Sequence, residues 1–187
     1  IHQEPKFTRF NSENIKELIE LREKNFKIIP VLESDSDKII DIINFRTQKS
    51  YLPIDVVIMA GGRGSRLWPL TKETPKPLLK INNKAVIDYS VERLRKFGIT
   101  NFHITVNYLK EKIRNHFSTY NDSACFNFIE EDKPLGTIGV LHQEIEFKSE
   151  SILLLNGDLI SEIDFEKFYL DFKLKDADIS VLTIPWK

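Results

Sequence analysis

Met59-Ala60-Gly61-Gly62-Arg63-Gly64-Ser65-Arg66-Leu67-Trp68-Pro69-Leu70-Thr71 is the stretch on which the reading of this chain turns. It leaves an almost continuously apolar run, Ile54–Ala60, the pattern of a strand buried on both faces. The chain has only 7 glycines, and Gly61, Gly62 and Gly64 crowd together directly after that strand. Glycine lets backbone N–H groups converge on phosphate with no Cβ in the way. Arg63 and Arg66 add guanidinium charge suited to phosphate oxygens. Pro75-Lys76-Pro77 follows, and its two prolines stiffen the backbone around a third cation. The loop is not a Walker A loop, because no G-x-x-x-x-G-K-[ST] can be read here. Nor is it the dinucleotide fingerprint, which would need glycine at Leu67, so an NAD-dependent oxidoreductase is disfavoured.

Downstream, helix and strand patterns alternate. A helix is predicted over Ala85–Phe97 with Ile87, Val91 and Leu94 on one face, and Gly98 stands where a left-handed C-cap belongs. Then come strand Asn101–Val106, helix Leu109–Phe117, strand Phe126–Ile129, a helix from about Gly136, strand Ser151–Leu155, helix Phe165–Phe172 and strand Ile179–Ile184. Alternating βα units imply an α/β fold with a doubly wound, mostly parallel sheet. In such sheets ligands sit at the C-terminal strand ends. Those ends are Ala60–Arg66, Asn107, Glu130–Gly136 and Asn156–Asp158.

Upstream, residues 1–53 contain no glycine and read as a small α+β unit with a linker. Asn11 or Ser12 can cap a helix carrying Ile15, Leu18 and Ile19. Strand Ile28–Leu32, a polar turn Glu33–Asp37 and strand Ile39–Ile43 follow, and Gln48–Pro53 reads as the linker. The unit is too small to bury its own faces and is expected to need a partner.

Composition narrows the function. The chain has 187 residues, of which 41% are hydrophobic and 29% charged, enough for a real core. Its 27 basic and 28 acidic residues leave a net charge of −1, which argues against nucleic-acid binding by bulk positive field. A lone cysteine, Cys125, excludes a disulfide scaffold, and it reads as a small buried hydrophobe. No apolar run is long enough for a membrane span and no signal peptide is evident, so the cytoplasm is the expected compartment. The chain opens on Ile1 and stops just after a strand-like run, as a piece of a longer protein would. His103, His116 and His142 show no ligand spacing, and Trp68 and Phe102 read as packing residues.

Gly61-Gly62-x-Gly64-Ser65-Arg66-Leu67-x-Pro69-Leu70-Thr71 with Pro75-Lys76-Pro77-Leu78-Leu79 resembles the signature of the sugar-nucleotide pyrophosphorylases. These are nucleoside triphosphate:sugar-1-phosphate nucleotidyltransferases. Val106-Asn107-Tyr108, Glu131-Asp132-x-Pro134-Leu135-Gly136-Thr137 and Leu155-Asn156-Gly157-Asp158 agree in order, so the resemblance covers residues 54–187. It implies a Rossmann-like nucleotidyltransferase domain that takes a nucleoside triphosphate and a sugar 1-phosphate. By resemblance, Arg66 and Lys76 neutralise the triphosphate and the sugar phosphate, and backbone donors from Ala60, Gly61, Gly62, Arg63, Gly64 and Ser65 cradle the phosphates. Asp158 would hold Mg2+, and Asn107 would touch the sugar or base or serve as a turn residue. Family members complete the metal site with a later aspartate, and the segments that grip the sugar are expected beyond Lys187.

Glu131 and Gly136 fall in the family's base-reading loop. A carboxylate only accepts hydrogen bonds, and guanine offers N1–H and the N2 amino group side by side. Uracil and thymine offer one N–H between two carbonyls. This favours GTP. A UTP-, dTTP- or CTP-using relative (phosphocholine cytidylyltransferases included) and a non-catalytic nucleotide-sensing module are the alternatives.

The first unit resembles the second half of a CBS repeat pair, with Ile28-Ile29-Pro30-Val31 and Lys38-Ile39-Ile40-Asp41-Ile42-Ile43 as its strands. The family's ligand-contacting glycine, Ser/Thr and Asp are replaced by Asp41, Asn44 and Thr47. A packing or dimerisation role is therefore expected, with a homo-oligomer formed through this unit.

Overall fold

A computed structural model of the chain describes residues 6–9, 15–120, 124–132 and 136–183. The central sheet has four strands, β4 (Ile54–Met59), β7 (Asn101–Val106), β8 (Cys125–Glu130) and β9 (Ser151–Asn156). Their order is β8-β7-β4-β9 and every pairing is parallel. In β4, Val56, Val57 and Ile58 are fully buried, as a central strand covered on both faces demands. Asp55 is buried beside them, and its carboxylate accepts hydrogen bonds from the N–H groups of Lys148 (2.5 Å) and Ser149 (3.3 Å).

Connection handedness distributes the cover. The crossovers from β4 to β7 and from β7 to β8 step in the same direction, so right-handed connections place α2 (Val86–Arg95) and α3 (Lys110–Phe117) on one face. There Ile87, Val91, Leu94, Ile113 and Phe117 pack with Val56, Ile58, Phe102, Ile104 and Val106, joined by Phe165 and Tyr169 of α5 (Phe165–Leu174). The return from β8 to β9 steps back across the sheet. Its connection holds one helical turn, α4 (Gly136–Gly139), and a loop, and it covers Val57 and Ile129 with Val140, Ile145 and Phe147. Among the described residues the sheet is thus wound by full helices on one face only, which narrows the doubly wound expectation.

Over residues 179–183 the predicted strand Ile179–Ile184 is not formed. Residues 179–183 have no strand pairing and Ile179 and Val181 are exposed; a strand exists only when a neighbour takes its N–H and C=O groups. Ile184 lies outside the described residues. Cys125 is exposed, because β8 is an edge strand and this residue opens it. Asn82 and Asn83 both have positive φ and turn a small hairpin, β5 (Lys80–Ile81) and β6 (Lys84–Ala85), that periodicity does not reveal.

The first unit is a three-stranded sheet, β1 (Thr8–Arg9) parallel to β2 (Ile28–Leu32), which pairs antiparallel with β3 (Ile39–Asn44). Strand β1 escapes a pattern reading because it has two residues. The cap candidates Asn11 and Ser12 lie outside the described residues. Helix α1 (Ile15–Glu23) buries Leu18 and Leu21 against Ile29, Val31 and Ile43, while its Ile15 enters the main core. The Gln48–Pro53 linker is pinned rather than loose. Lys49 N–H and Leu52 N–H donate to the carbonyls of Lys96 and Phe97, and Gly98 (φ +78) lies so close that a Cβ there would stand 2.8 Å from Tyr51 Cα. Arg22 grips Glu166 with two 2.9 Å bonds, fastening the unit to α5. No helix among the described residues is long and apolar enough to cross a membrane.

Candidate active site

The chain runs outward from β4 through β7 to β8 and then returns to the far side of β4. The strand order thus reverses between β4 and β9, and the C-terminal ends at such a switch point are where an open α/β sheet binds its ligand. The register pairs Met59 with Asn156, so the glycine loop and Gly157-Asp158 leave the sheet side by side. Gly157 N–H donates to Met59 O at 2.9 Å. A Cβ on Gly157 would stand 3.0 Å from Met59 O and 3.3 Å from Pro77 Cγ, so any larger residue would push these neighbours back.

Gly64 has φ +60 and starts a single 3-10 turn, Ser65–Leu67. A Cβ there would meet Thr71 Cγ2 at 3.1 Å and Lys76 Cβ at 3.2 Å. The fully buried Thr71 ties the loop shut by donating Oγ1–H to Gly64 O at 2.7 Å. Lys76 stands between buried Pro75 and Pro77, and its Nζ forms an ion pair with Asp158 Oδ2. Arg63 and Arg66 are exposed and take no hydrogen-bond or ion-pair partner among the described residues. Gly62 is open: nothing lies within 4 Å of where its Cβ would be. Ala60 is buried, and its N–H is spent on Thr105 inside the sheet.

On the other side of the loop, Glu131 follows β8. Its N–H donates to Val106 O at 3.0 Å, and a Cβ on Gly61 would lie 3.0 Å from its Oε2. Burial pushes the Glu131 carboxyl pKa above its ordinary value. Asn107 Nδ2 donates to the Glu131 carbonyl. Gly136 (φ +75) heads α4 with open space around it, and Lys133, Pro134 and Leu135 lie outside the described residues.

The structure thus brings Gly61 against Asn107 and Glu131, Gly64 against Lys76, and Lys76 against Asp158, with Arg63, Ser65 and Arg66 on the same loop and exposed. Trp68, expected to pack, is instead exposed on the rim, because the 3-10 turn faces solvent. The residues that pattern reading misses are struts. Tyr108 hydroxyl donates to Lys72 O at 2.6 Å and Lys112 Nζ donates to Glu73 O, so the start of α3 holds the segment leading to Lys76. Only its place beside Asn107 marks Tyr108 in the sequence, and nothing local marks Lys112. A separate cleft of about 580 Å³ lies between the first unit and α5. It gathers none of these residues, and two of its charges, Arg22 and Glu166, are paired with each other.

Asp158 offers one hard oxygen donor beside a cation and an open loop. That donor set suits Mg2+, which is commonly held by one or two protein carboxylates together with substrate phosphates and water. Among the described residues no group of three or more His, Cys, Asp or Glu side chains could hold a metal by itself.

Residues 55–187 match the family described as nucleotidyl transferase. The D-glycero-alpha-D-manno-heptose 1-phosphate guanylyltransferase of Campylobacter jejuni is 32% identical over 118 residues, covering 63% of this chain and 53% of that protein. The enzyme of the same name from Aneurinibacillus thermoaerophilus is 30% identical over 138 residues, covering 72% and 59%. Among solved structures, HddC from Yersinia pseudotuberculosis complexed with GMP-PN superposes with a TM-score of 0.52 at 28% identity, covering 64% of this chain and 54% of that one. The chain spans 53% to 59% of the length of these two curated relatives. With its parallel sheet, its glycine loop and a match over residues 55–187, the chain belongs to the nucleotidyl transferase family.

Proposed function

We propose that this chain carries the nucleotide-handling part of a Mg2+-dependent guanylyltransferase, which joins GTP to a sugar 1-phosphate and releases pyrophosphate. The observation that carries the reading is the meeting of Lys76 with Asp158 beside a glycine loop whose Gly62 faces open space. An oxygen of the sugar phosphate attacks the α-phosphorus in line, the new P–O bond forms, and pyrophosphate leaves with the bonding pair. No protein nucleophile is needed; the work is positioning and charge neutralisation. Arg66, exposed and with no hydrogen-bond or ion-pair partner among the described residues, would meet the triphosphate. Lys76 and Asp158 satisfy each other at rest. On substrate arrival Lys76 turns to phosphate, and Asp158 is the residue that would hold Mg2+. The ion, when bound, supplies further charge neutralisation on the phosphates.

The choice of GTP is supported by Glu131, a carboxylate against Gly61, where guanine's paired N–H donors would find an acceptor. Two relatives named as guanylyltransferases agree. The same reading gives residues 1–53 a CBS-like packing role. The outer sheet face, on which Ile28 and Ile42 are uncovered among the described residues, suits association of two copies.

A panel of GTP, UTP, dTTP and CTP, offered with sugar 1-phosphates to the full-length protein, tests the reading through pyrophosphate release. GTP should dominate and chelation of Mg2+ should stop release. Unchanged GTP preference in Glu131→Gln would refute the base argument. GTP binding without release would favour a sensing module.

A further inference from the structure

We propose that Asn107 and Tyr108 are positioning residues that set the spacing between the base side and the phosphate side of the nucleotide site. The proposal rests on the nucleotide site argued above, and it replaces substrate contact as the role of Asn107. The two side chains reach in opposite senses. Asn107 Nδ2 donates to the carbonyl of Glu131, 24 residues away in the chain. Tyr108 hydroxyl donates at 2.6 Å to the carbonyl of Lys72, 36 residues back and on the approach to Lys76. A residue that merely made a turn would satisfy itself locally; these bonds are tertiary.

Two further observations converge on the same pair. Gly61, in the phosphate loop, lies against Asn107: a Cβ there would sit 3.3 Å from both Asn107 Cβ and Asn107 N. The next residue, Leu109, has φ 53 and ψ 36, a left-handed conformation that costs a Cβ-bearing residue energy. Such a conformation persists where its surroundings over-determine it. Here they do: Asn107 and Tyr108 are pinned before Leu109, and Lys112 is pinned to Glu73 O after it. One dipeptide thereby touches the loop after β4, the loop after β8 and the segment that carries the site lysine. A shift of Asn107 moves Glu131 relative to Gly61; a shift of Tyr108 moves the Lys76 segment.

Equilibrium binding of GTP and UTP to the full-length protein, with Mg2+, separates these arms. Asn107→Ala should weaken GTP about three- to tenfold, the loss expected of one hydrogen bond, and spare UTP, so that base discrimination falls. Asn107→Asp, which keeps the shape but loses the donor, should behave alike. Tyr108→Phe, which removes an exposed hydroxyl and leaves the ring, should weaken both nucleotides by the same factor at unchanged melting temperature. Equal losses of GTP and UTP in Asn107→Ala would indicate direct contact with ribose or phosphate and overturn the proposal. So would unchanged binding in Tyr108→Phe. A full-length wild-type protein that binds neither nucleotide would overturn the nucleotide site itself, a different failure.

Discussion

The two sheets of this molecule treat their faces differently. The central sheet is covered on both sides, with Val56 and Ile58 facing the helices and Val57 facing the connection after α4, all fully buried. Among the described residues the first sheet is covered on one side only. Ile29, Val31 and Ile43 are buried under α1, whereas Ile28 and Ile42 on the reverse are 55% and 56% exposed. Every candidate site residue hangs from the doubly covered sheet. Rigid strand ends can hold charged groups at fixed spacing, and a half-covered sheet of three strands cannot do so as well. What the first unit contributes is attachment: Ile15 in the main core, Arg22 on Glu166 and a linker bonded to the end of α2.

The contrast can be broken most directly by truncation in each sheet. Phe102→Ala should cost about 3–5 kcal/mol in chemical denaturation, whereas Ile42→Ala should stay within about 0.5 kcal/mol at protein concentrations where the protein is monomeric. A loss at Ile42 that grows with protein concentration is the signature of the pairing of copies proposed above. Next in size is chemistry. Lys76→Ala should lower the rate of pyrophosphate release by about 10²–10³-fold in the full-length protein, the scale of losing one electrostatic stabiliser, and the Ile42 variant should leave it unchanged. A smaller effect tests the attachment. Arg22→Ala, removing a half-buried bidentate pair, should lower stability by about 1–2 kcal/mol, and Arg22→Lys should not restore it, because a lysine cannot fork onto Glu166.

The mildest probe is pH. Burial holds His103 below its ordinary pKa of 6.5, against the opposing pull of Asp55 at 3.9 Å. The unfolded chain then binds a proton more readily than the folded one, so the contribution of His103 is constant above about pH 6.5 and stability falls as the pH drops below it. The slope from this group is at most about 1.4 kcal/mol per pH unit. His103→Gln should flatten the denaturation profile over that window; an unaltered profile would show that the imidazole titrates as freely folded as unfolded.

Much of the fold is legible in the residues. The continuous run of β4, the apolar stripe of α2 with its Gly98 terminator and the clustered glycines each carry their meaning within a few positions. Failures occur where the deciding partner is distant. Cys125 looks like a core residue by type, yet it opens an edge strand. Ile179-Ser180-Val181-Leu182-Thr183 looks like a strand by composition, yet no neighbour among the described residues pairs with it as a strand. Trp68 looks like a packing residue, yet the turn of the phosphate loop leaves it on the rim.

The amino-acid sequence by itself determined the loop, its cations and the candidate carboxylate, because glycine spacing, proline stiffness and strand-end position are local properties of the backbone. Tertiary structure alone decided that Lys76 meets Asp158, that Glu131 lies over Gly61 and that Tyr108 braces Lys72. Those meetings depend on the order β8-β7-β4-β9, which brings distant strand ends side by side and is written in no single stretch of the chain.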